Sequence, residues 1–169
     1  MNITKKLMLF VLVFFLTFSS FCLATSEPVT TNNEENSDNS EAINIINTDL
    51  YISSQDVVIE DSINGNVFAM GSSVTVKGEI LGDLFVLTNT LTIEESAVIH
   101  NNIFALASTS TIKGEVYDLY ISSNNFELTD TGYIYRDLKV SGDNVTLNGP
   151  IAKDAYITAN SITMPENAR

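Results

Sequence analysis

The strongest constraint on the fold of this chain is an internal repeat that begins near residue 49. Seven segments open with Asp or Asn and continue as a short run in which apolar and polar side chains alternate. The intervals between opening residues are 17, 17, 19, 16, 19 and 17. Self-similarity at such a short, nearly constant period is typical of solenoid proteins. The opening residues are Asp49, Asn66, Asp83, Asn102, Asp118, Asp137 and Asp154.

Each repeat contains three short β-runs. The first follows the opening residue directly, and the second begins about seven residues into the repeat, as at residues 74–76. The fourth repeat matches this second run poorly, because Ser110 occupies an apolar position. Alternation with a period of two indicates that one face of each run is buried. A third apolar position precedes the next opening residue, and we predict it at Ile63, Ile80, Val98, Val116, Ile134 and Ile151.

The pattern predicts an all-β fold, a single-stranded parallel β-helix (solenoid) with about seven rungs of 16–19 residues. β-Branched residues dominate the inward positions, as strands prefer, and no stretch beyond the N-terminus shows sustained helical periodicity. Neighbouring coils of a parallel sheet lie about 4.8 Å apart, so seven coils would form a rod of roughly 30–35 Å. One coil cannot bury enough surface alone, and stability must therefore accumulate by stacking.

The N-terminus has the order of a secretory signal peptide. Lys5 and Lys6 precede an apolar run at residues 7–18, and small residues follow up to Ala24. This order predicts cleavage after Ala24 and an exported, extracellular or envelope-associated protein. An uncleaved N-terminal anchor is the alternative, and it would be the only membrane contact we expect. Cys22 is the single cysteine, so cleavage would leave no disulfide and no cysteine-based metal site.

Charge and composition limit the partners and divide the chain. The net charge of −13 becomes −15 when the two signal-peptide lysines are removed. Such an acidic chain repels phosphate backbones, so we expect no nucleic-acid partner.

Residues 25–47 are rich in Thr, Asn, Glu, Ser and Asp and lack aromatic residues. They are predicted to form a disordered polar linker between the signal peptide (1–24) and the β-helix domain (48–169).

The opening Asp and Asn residues are predicted to form a ladder at one corner of the coils. These residue types tolerate left-handed backbone and can hydrogen-bond their own backbone two residues on. A calcium ladder is the alternative, but it needs oxygen ligands that converge from several positions. The glycine-rich nonapeptide of calcium-binding β-rolls is absent. We therefore predict no metal and no cofactor.

An aromatic column is predicted on the outside of the solenoid. The outward position two residues after each opening residue is aromatic in six coils and Lys139 in the other. The column could stabilise the stack through ring contacts or provide a lateral assembly surface, and the two roles are compatible with each other. The rings are Tyr51, Phe68, Phe85, Phe104, Tyr120 and Tyr156, and the next outward position adds Met70, Leu87 and Leu106.

The open ends of a solenoid are also candidate association surfaces. An unpaired strand edge templates pairing with another chain unless it is charged or covered. In the last coil only Lys153 and Asp154 offer such protection. We therefore predict end-to-end self-association into a homo-oligomer or homo-polymer.

Catalytic alternatives have simpler explanations. His100 is the only histidine and stands beside Asn101 and Asn102, which suggests a corner residue rather than a general base. Neighbouring carboxylates can form the acid–base pair of polysaccharide-cleaving enzymes. Adjacent residues on a strand point to opposite faces, however, and the coils lack the insertions that build a cleft. We therefore predict solvated charges and no enzyme. The carboxylates considered are Glu60, Asp61, Glu94 and Glu95.

The repeat resembles that of the bactofilins, the polymer-forming proteins of bacteria. The resemblance covers about residues 50–164 and rests on corners such as Gly82-Asp83-Leu84 and on the runs at residues 74–80 and 111–116. It implies a right-handed triangular β-helix that polymerises end to end without nucleotide.

The signal peptide sets this chain apart from typical, cytoplasmic bactofilins. It is more similar to exported bactofilin-like proteins of Gram-positive bacteria, which implies a structural role in the cell envelope. The alternative is a secreted β-helix that binds or modifies carbohydrate, such as cell-wall polysaccharide, by stacking sugar rings on the aromatic column.

Overall fold

The computed structural model describes residues 45–165, and all regular structure in that range is β-strand. The predicted signal peptide, most of the predicted linker and residues 166–169 lie outside this range. Residues 45–165 contain no helix that is long and apolar enough to cross a membrane. The strands are β1 (Ile45–Ile46), β2 (Leu50–Ser53), β3 (Asp56–Ile59), β4 (Ser62–Ile63), β5 (Val67–Val76), β6 (Glu79–Ile80), β7 (Leu84–Ile93), β8 (Val98–Ile112), β9 (Glu115–Leu128), β10 (Tyr133–Ile134), β11 (Leu138–Leu147) and β12 (Ala155–Thr163).

The strands form a β-solenoid of about seven turns, as the repeat predicts. Every pairing is parallel, and each residue pairs with its equivalent one repeat away. Phe68, for example, lies between Tyr51 and Phe85 in adjacent strands. The first strand, β1, begins inside the stretch whose composition resembles a linker and pairs with β4.

The core is a continuous stack of inward aliphatic side chains that runs along the solenoid. Strands β5, β7 and β11 alternate between buried and accessible residues, because successive strand residues face opposite sides. Mid-rod inward residues such as Leu84, Ile103 and Leu119 are completely buried. This burial confirms the inward face that the period-two pattern predicts.

The weak fourth repeat is in register despite its polar residue. Ser110 pairs with Leu91 on one side and Phe126 on the other, and its side chain is fully buried. Its hydroxyl donates to the hydroxyl of buried Ser123 at 3.0 Å, which in turn donates to the carbonyl of Asn125 at 3.0 Å. The small side chain of Ser110 lies beside the large ring of Phe126, so a small residue in one coil is paired with a large residue in the next.

One predicted core position is wrong. The third inward residue of the third repeat is Ile99, which is fully buried and pairs with Ile80, whereas Val98 is only partly buried and pairs with Glu79. The 19-residue interval explains the shift of one residue. Its extra residues form a turn in which the Ala97 N–H donates to the Glu94 carbonyl at 2.9 Å, and Ala97 itself becomes buried.

Glycine at the corner allows close backbone approach. A Cβ on Gly82 would lie 2.7 Å from Asn66 Oδ1 and collide with the carbonyl of Gly65. Gly82 does not adopt a left-handed conformation, since no residue from 45 to 165 has a positive φ. The Gly-Asp corners therefore exist because coils come too close there for a side chain.

The two ends of the solenoid differ in burial. The last strand, β12, pairs only with β11 among the described strands, and most of its residues are exposed. Its inward residue Ile162 is 48% exposed and Met164, which follows the strand, is 53% exposed. The equivalent residue of the first coil, Val57, is 1% exposed. Apolar surface is therefore accessible at the C-terminal end of the core.

Candidate functional site

The predicted aromatic column exists as a continuous stack of rings. Tyr51, Phe68, Phe85, Phe104 and Tyr120 project outward from five consecutive coils. Their successive ring centroids are 4.7, 4.7, 5.2 and 5.1 Å apart, and the ring planes deviate from parallel by at most 13°. The spacing follows from the distance between parallel strands, which places equivalent side chains directly above one another.

Lys139 continues the column where a ring is missing. Its ammonium lies 5.0 Å from the ring centroid of Tyr120 and 5.6 Å from that of Tyr156. A cation within about 6 Å of a ring face is attracted by the electrons of the ring. The column therefore spans all seven coils as six rings and one cation.

We expect Lys139→Ala to lower the free energy of unfolding by about 0.5–1 kcal/mol, because it removes both cation–ring contacts. Lys139→Phe should raise it by about 0.5–1.5 kcal/mol by restoring a ring stack. Urea unfolding followed by circular dichroism measures both changes. Ser141→Ala, which removes an exposed outward side chain of the same strand outside the ring column, is the control. Equal effects at 139 and 141 would contradict a role for the ring contacts.

A second apolar column lies beside the rings. Met70, Leu87 and Leu106 pair in consecutive coils and are half-buried, and Ser122 continues the column above them. A shallow groove of about 280 Å³ lies between coils at this position. The residues that line it are Ser53, Met70, Gly71, Leu87, Thr88 and Asn89. Together with the rings, these side chains form an apolar stripe, widest in coils two to four.

The corner residues form a ladder that joins one coil to the next. The Oδ1 atom of Asp49 accepts the backbone N–H of Asn66 at 2.7 Å, and Asn66 Oδ1 accepts the N–H of Asp83 at 2.9 Å. Asp83 and Asn102 repeat the contact at 3.1 Å, and Asp118 and Asp137 at 3.0 Å. The predicted explanation, a bond to each residue's own backbone in left-handed conformation, is wrong. The side chains reach the following coil, because an extended backbone places that N–H directly above them.

Two steps of the ladder are open. No bond joins Asn102 Oδ1 to the N–H of Asp118, where the interval is 16 residues and the strand register shifts. Asp118 itself is buried, and its Oδ2 lies 3.5 Å from Arg136 Nε. At the last step Asp137 Oδ1 is buried without a hydrogen-bond partner among residues 45–165, and Lys153 Nζ lies 3.8 Å away.

Two of the carboxylates considered as catalytic candidates are paired with lysines. Lys77 Nζ lies 2.7 Å from Glu60 Oε1, and Lys113 Nζ lies 3.1 Å from Glu94 Oε2. The hydrogen bond and charge of Lys77 lower the pKa of Glu60, and the carboxylate raises the pKa of Lys77 in return. Lowering the carboxyl pKa favours a permanently ionised group, which does not suit a general acid. Asp61 and Glu95 stand next to these residues without an ion pair in the described range.

A row of tyrosines that the sequence pattern does not reveal extends from His100 along the solenoid. His100 Nε2 lies 2.6 Å from Glu79 Oε1, and its ring centroid is 6.4 Å from that of Tyr117. Tyr117 stacks on Tyr135 at 5.2 Å. The Tyr135 hydroxyl donates to Glu115 Oε2 at 2.7 Å, and this bond, with a smaller contribution from burial, raises the pKa of Tyr135. The only sequence signal for this cluster is position: His100, Tyr117 and Tyr135 each stand one or two residues before an opening Asp or Asn. Tyr133 completes the cluster, with its ring 4.5 Å from that of Tyr135.

Among residues 45–165 no group of three or more His, Cys, Asp or Glu side chains is arranged to hold a metal ion. No protein-family model, curated protein or solved structure matches this chain. The resemblance to bactofilins therefore rests on the repeat and corner residues alone.

Proposed function

We propose that this protein is a non-enzymatic structural component of the cell envelope that self-associates through its solenoid ends and its aromatic column, in the manner of the bactofilins. The observation that carries this proposal is the last strand of the solenoid. β12 presents a nine-residue edge without a charged side chain, and inward apolar residues beside it are about half exposed.

Such an edge favours association for two physical reasons. The strand offers a row of backbone N–H and carbonyl groups that another strand can pair with, and natural proteins usually block such rows with charge, proline or a covering segment. Exposed Ile162 and Met164 add apolar surface that a second chain could bury. Lys153 and Asp154 stand at one end of the edge and leave its length unprotected.

The aromatic column supports a second, lateral contact. It extends along the whole rod, and the Met70, Leu87 and Leu106 column widens it into a stripe. Contiguous apolar surface of this kind marks association sites in soluble proteins. A straight stripe on a rigid rod suits side-by-side packing of rods.

The envelope location rests on the predicted signal peptide. An exported, acidic rod with self-associating surfaces would assemble outside the cytoplasm. Assembly by the stacking of coils requires no nucleotide, so no nucleotide supply would be needed there.

The lateral contact is tested by changing Phe68, Phe85 and Phe104 to serine together. We expect the variant to keep its β circular dichroism, since all three side chains project outward, but to lose side-by-side bundles in negative-stain microscopy and to scatter no more light than single rods. The matched control replaces the three clustered tyrosines with serine. Unchanged bundling in the phenylalanine variant would contradict the lateral contact. The control residues are Tyr117, Tyr133 and Tyr135.

Carbohydrate binding through the column is the second candidate function. The rings that could stack on sugars already lie face to face at about 5 Å, so neighbours cover their faces and mainly edges reach solvent. Sugar rings pack on exposed aromatic faces, which makes the column less suited to them. Saturable binding to purified cell wall, competed by soluble sugar, would favour this second function over the first.

A further inference from the structure

We propose that this protein binds ice through a regular array of hydroxyl groups on the outward surface of the second β-run of each coil. The aromatic column lies on the first run, so the activity is separate from the proposed self-association and uses a different surface. The hydroxyl residues of coils two to four are named the hydroxyl array. They are Ser73, Thr75, Thr90, Thr92, Thr109 and Thr111.

The hydroxyl array repeats in two directions. Along the rod, Thr75 pairs with Thr92 and Thr92 with Thr111, so equivalent hydroxyls stand about 4.8 Å apart. Across the rod, Thr90 and Thr92 are two residues apart in one strand, a distance of about 6.7 Å. Leu91 between them is completely buried, so both threonines face outward. Because threonine is β-branched and restricted at χ1, the hydroxyls keep these spacings.

Both spacings match those of tetrahedrally hydrogen-bonded water. Hydrogen-bonded oxygens lie about 2.75 Å apart, so two oxygens that share one neighbour at the tetrahedral angle are about 4.5 Å apart. Two oxygens joined through two waters in an extended chain are about 7 Å apart. One water can therefore bridge hydroxyls of neighbouring coils, and two waters can bridge hydroxyls of one strand. Water held in this way has the geometry of ice, in which every molecule is tetrahedrally bonded.

The threonine hydroxyls of the array are available to water. Thr90 and Thr109 are exposed. Within residues 45–165, the Ser73 hydroxyl is the only one of the array with a hydrogen-bond partner, Asp56 Oδ1 at 2.6 Å. The hydroxyl of Thr129, outside the array, donates to a backbone carbonyl instead. The threonines of the array consequently keep their hydrogen-bonding capacity for solvent.

The array is uncharged, although the chain carries 21 acidic residues. At the two outward positions of the second run in coils two to seven, Glu127 is the only charged residue. An ice surface is neutral, and a charge in the contact would lose hydration without gaining a partner. The fold does not impose hydroxyls, since outward positions of the first run carry aromatic rings. Beyond Glu127 the polar surface resumes with Asn144, Thr146, Ser161 and Thr163.

Ice growth in solutions of the full chain tests the proposal. We expect the chain to enter a slowly grown ice hemisphere and to lower the freezing point below the melting point in a nanolitre osmometer. Thr92→Tyr places a large ring in the middle of the array and should abolish both effects. Thr158→Tyr, the same change at an exposed threonine of the first run, is the matched control and should preserve both. Circular dichroism should show unchanged β structure in the two variants.

Glu127→Thr tests the proposal in the opposite direction. Glu127 is exposed and pairs with Thr111 and Thr146, so a threonine at this position would complete one column from Thr75 to Thr163. This variant should widen the gap between melting and freezing and should enter ice more readily. Glu127→Gln removes the charge without completing the column and should have a smaller effect.

The outcomes separate ice binding from other uses of this surface. Exclusion of the chain from ice, or equal ice activity in Thr92→Tyr and Thr158→Tyr, would overturn the proposal. Binding to insoluble crystalline polysaccharide that Thr92→Tyr abolishes, without activity toward ice, would assign the array to carbohydrate and would also overturn it.

A further variant distinguishes ice binding from self-association. The chain with serine in place of Phe68, Phe85 and Phe104 should lose lateral bundling and keep its ice activity, because the hydroxyl array is intact. Loss of ice activity in this variant would assign the ice contact to the aromatic column and overturn the proposal. Unchanged bundling with intact ice activity would instead contradict the proposed lateral contact alone.

Discussion

Phe126→Ala is expected to lower the free energy of unfolding by about 3–5 kcal/mol, the usual cost of removing a large buried aromatic side chain. Phe126 is 2% exposed and is the largest of the fully buried side chains in the described range. Its neighbours in the stack are Ser110 below and Val145 above. Ser110 cannot extend into the space that the ring leaves, because it is small and is held by its bond to Ser123. The cavity should therefore persist.

Urea unfolding followed by circular dichroism measures this loss. Phe68→Ala is the matched control, since it removes the same ring from an outward, half-buried position and should cost about 0.5–1.5 kcal/mol through lost stacking. A stack of coils is held by contacts between neighbours, so the cavity at 126 should also broaden the transition as the two halves unfold less cooperatively. Equal losses at 126 and 68 would mean that the inward stack is not the main source of stability.

The second large effect is expected at the corner ladder. Asp118→Ala should cost about 1–3 kcal/mol, because it removes the acceptor of a part-buried N–H. Asp118 is 5% exposed, accepts the N–H of Asp137 at 3.0 Å and lies 3.5 Å from Arg136. This is the most buried step of the ladder, so water cannot readily replace the lost acceptor.

Asp118→Asn separates the hydrogen bond from the charge. An asparagine keeps an oxygen in the place of Oδ1, as Asn66 does in its own step, and should cost only about 1 kcal/mol. Asp154→Ala, at an exposed corner of the last coil, should change stability by less than about 0.5 kcal/mol. The same urea experiment compares the three variants. If alanine and asparagine at 118 were equally harmful, the ion pair with Arg136 rather than the ladder bond would hold this corner.

Much of the architecture could be predicted because a solenoid repeats its local rules. Period-two alternation identifies the inward face, and recurrence at 16–19 residues identifies the coils, so the aromatic column follows from residue numbers alone. Val98 was misassigned because alternation cannot choose between adjacent apolar residues when an interval contains extra residues. Only the turn that buries Ala97 makes Ile99 the inward residue.

The corner ladder was predicted by residue type but not by mechanism. Asp and Asn side chains are short enough to reach either their own backbone or the coil above, and composition does not distinguish the two. The extended backbone decides, since no described residue has a positive φ. The cluster around Tyr117 and Tyr135 was missed because the unequal intervals of 16 and 19 place its members at different offsets from the opening residues, which hides the column in the sequence.

The contact between Ser110 and Phe126 has a consequence for how such a chain can evolve. Repeat proteins are often considered to grow and shrink by duplicating or losing whole repeats. Here the fourth and fifth repeats are fitted to each other, because a small residue in one makes room for a large residue in the next. Loss of the fourth repeat alone would set Phe126 against Leu91 and overfill the core. We therefore expect these two repeats to be gained or lost together.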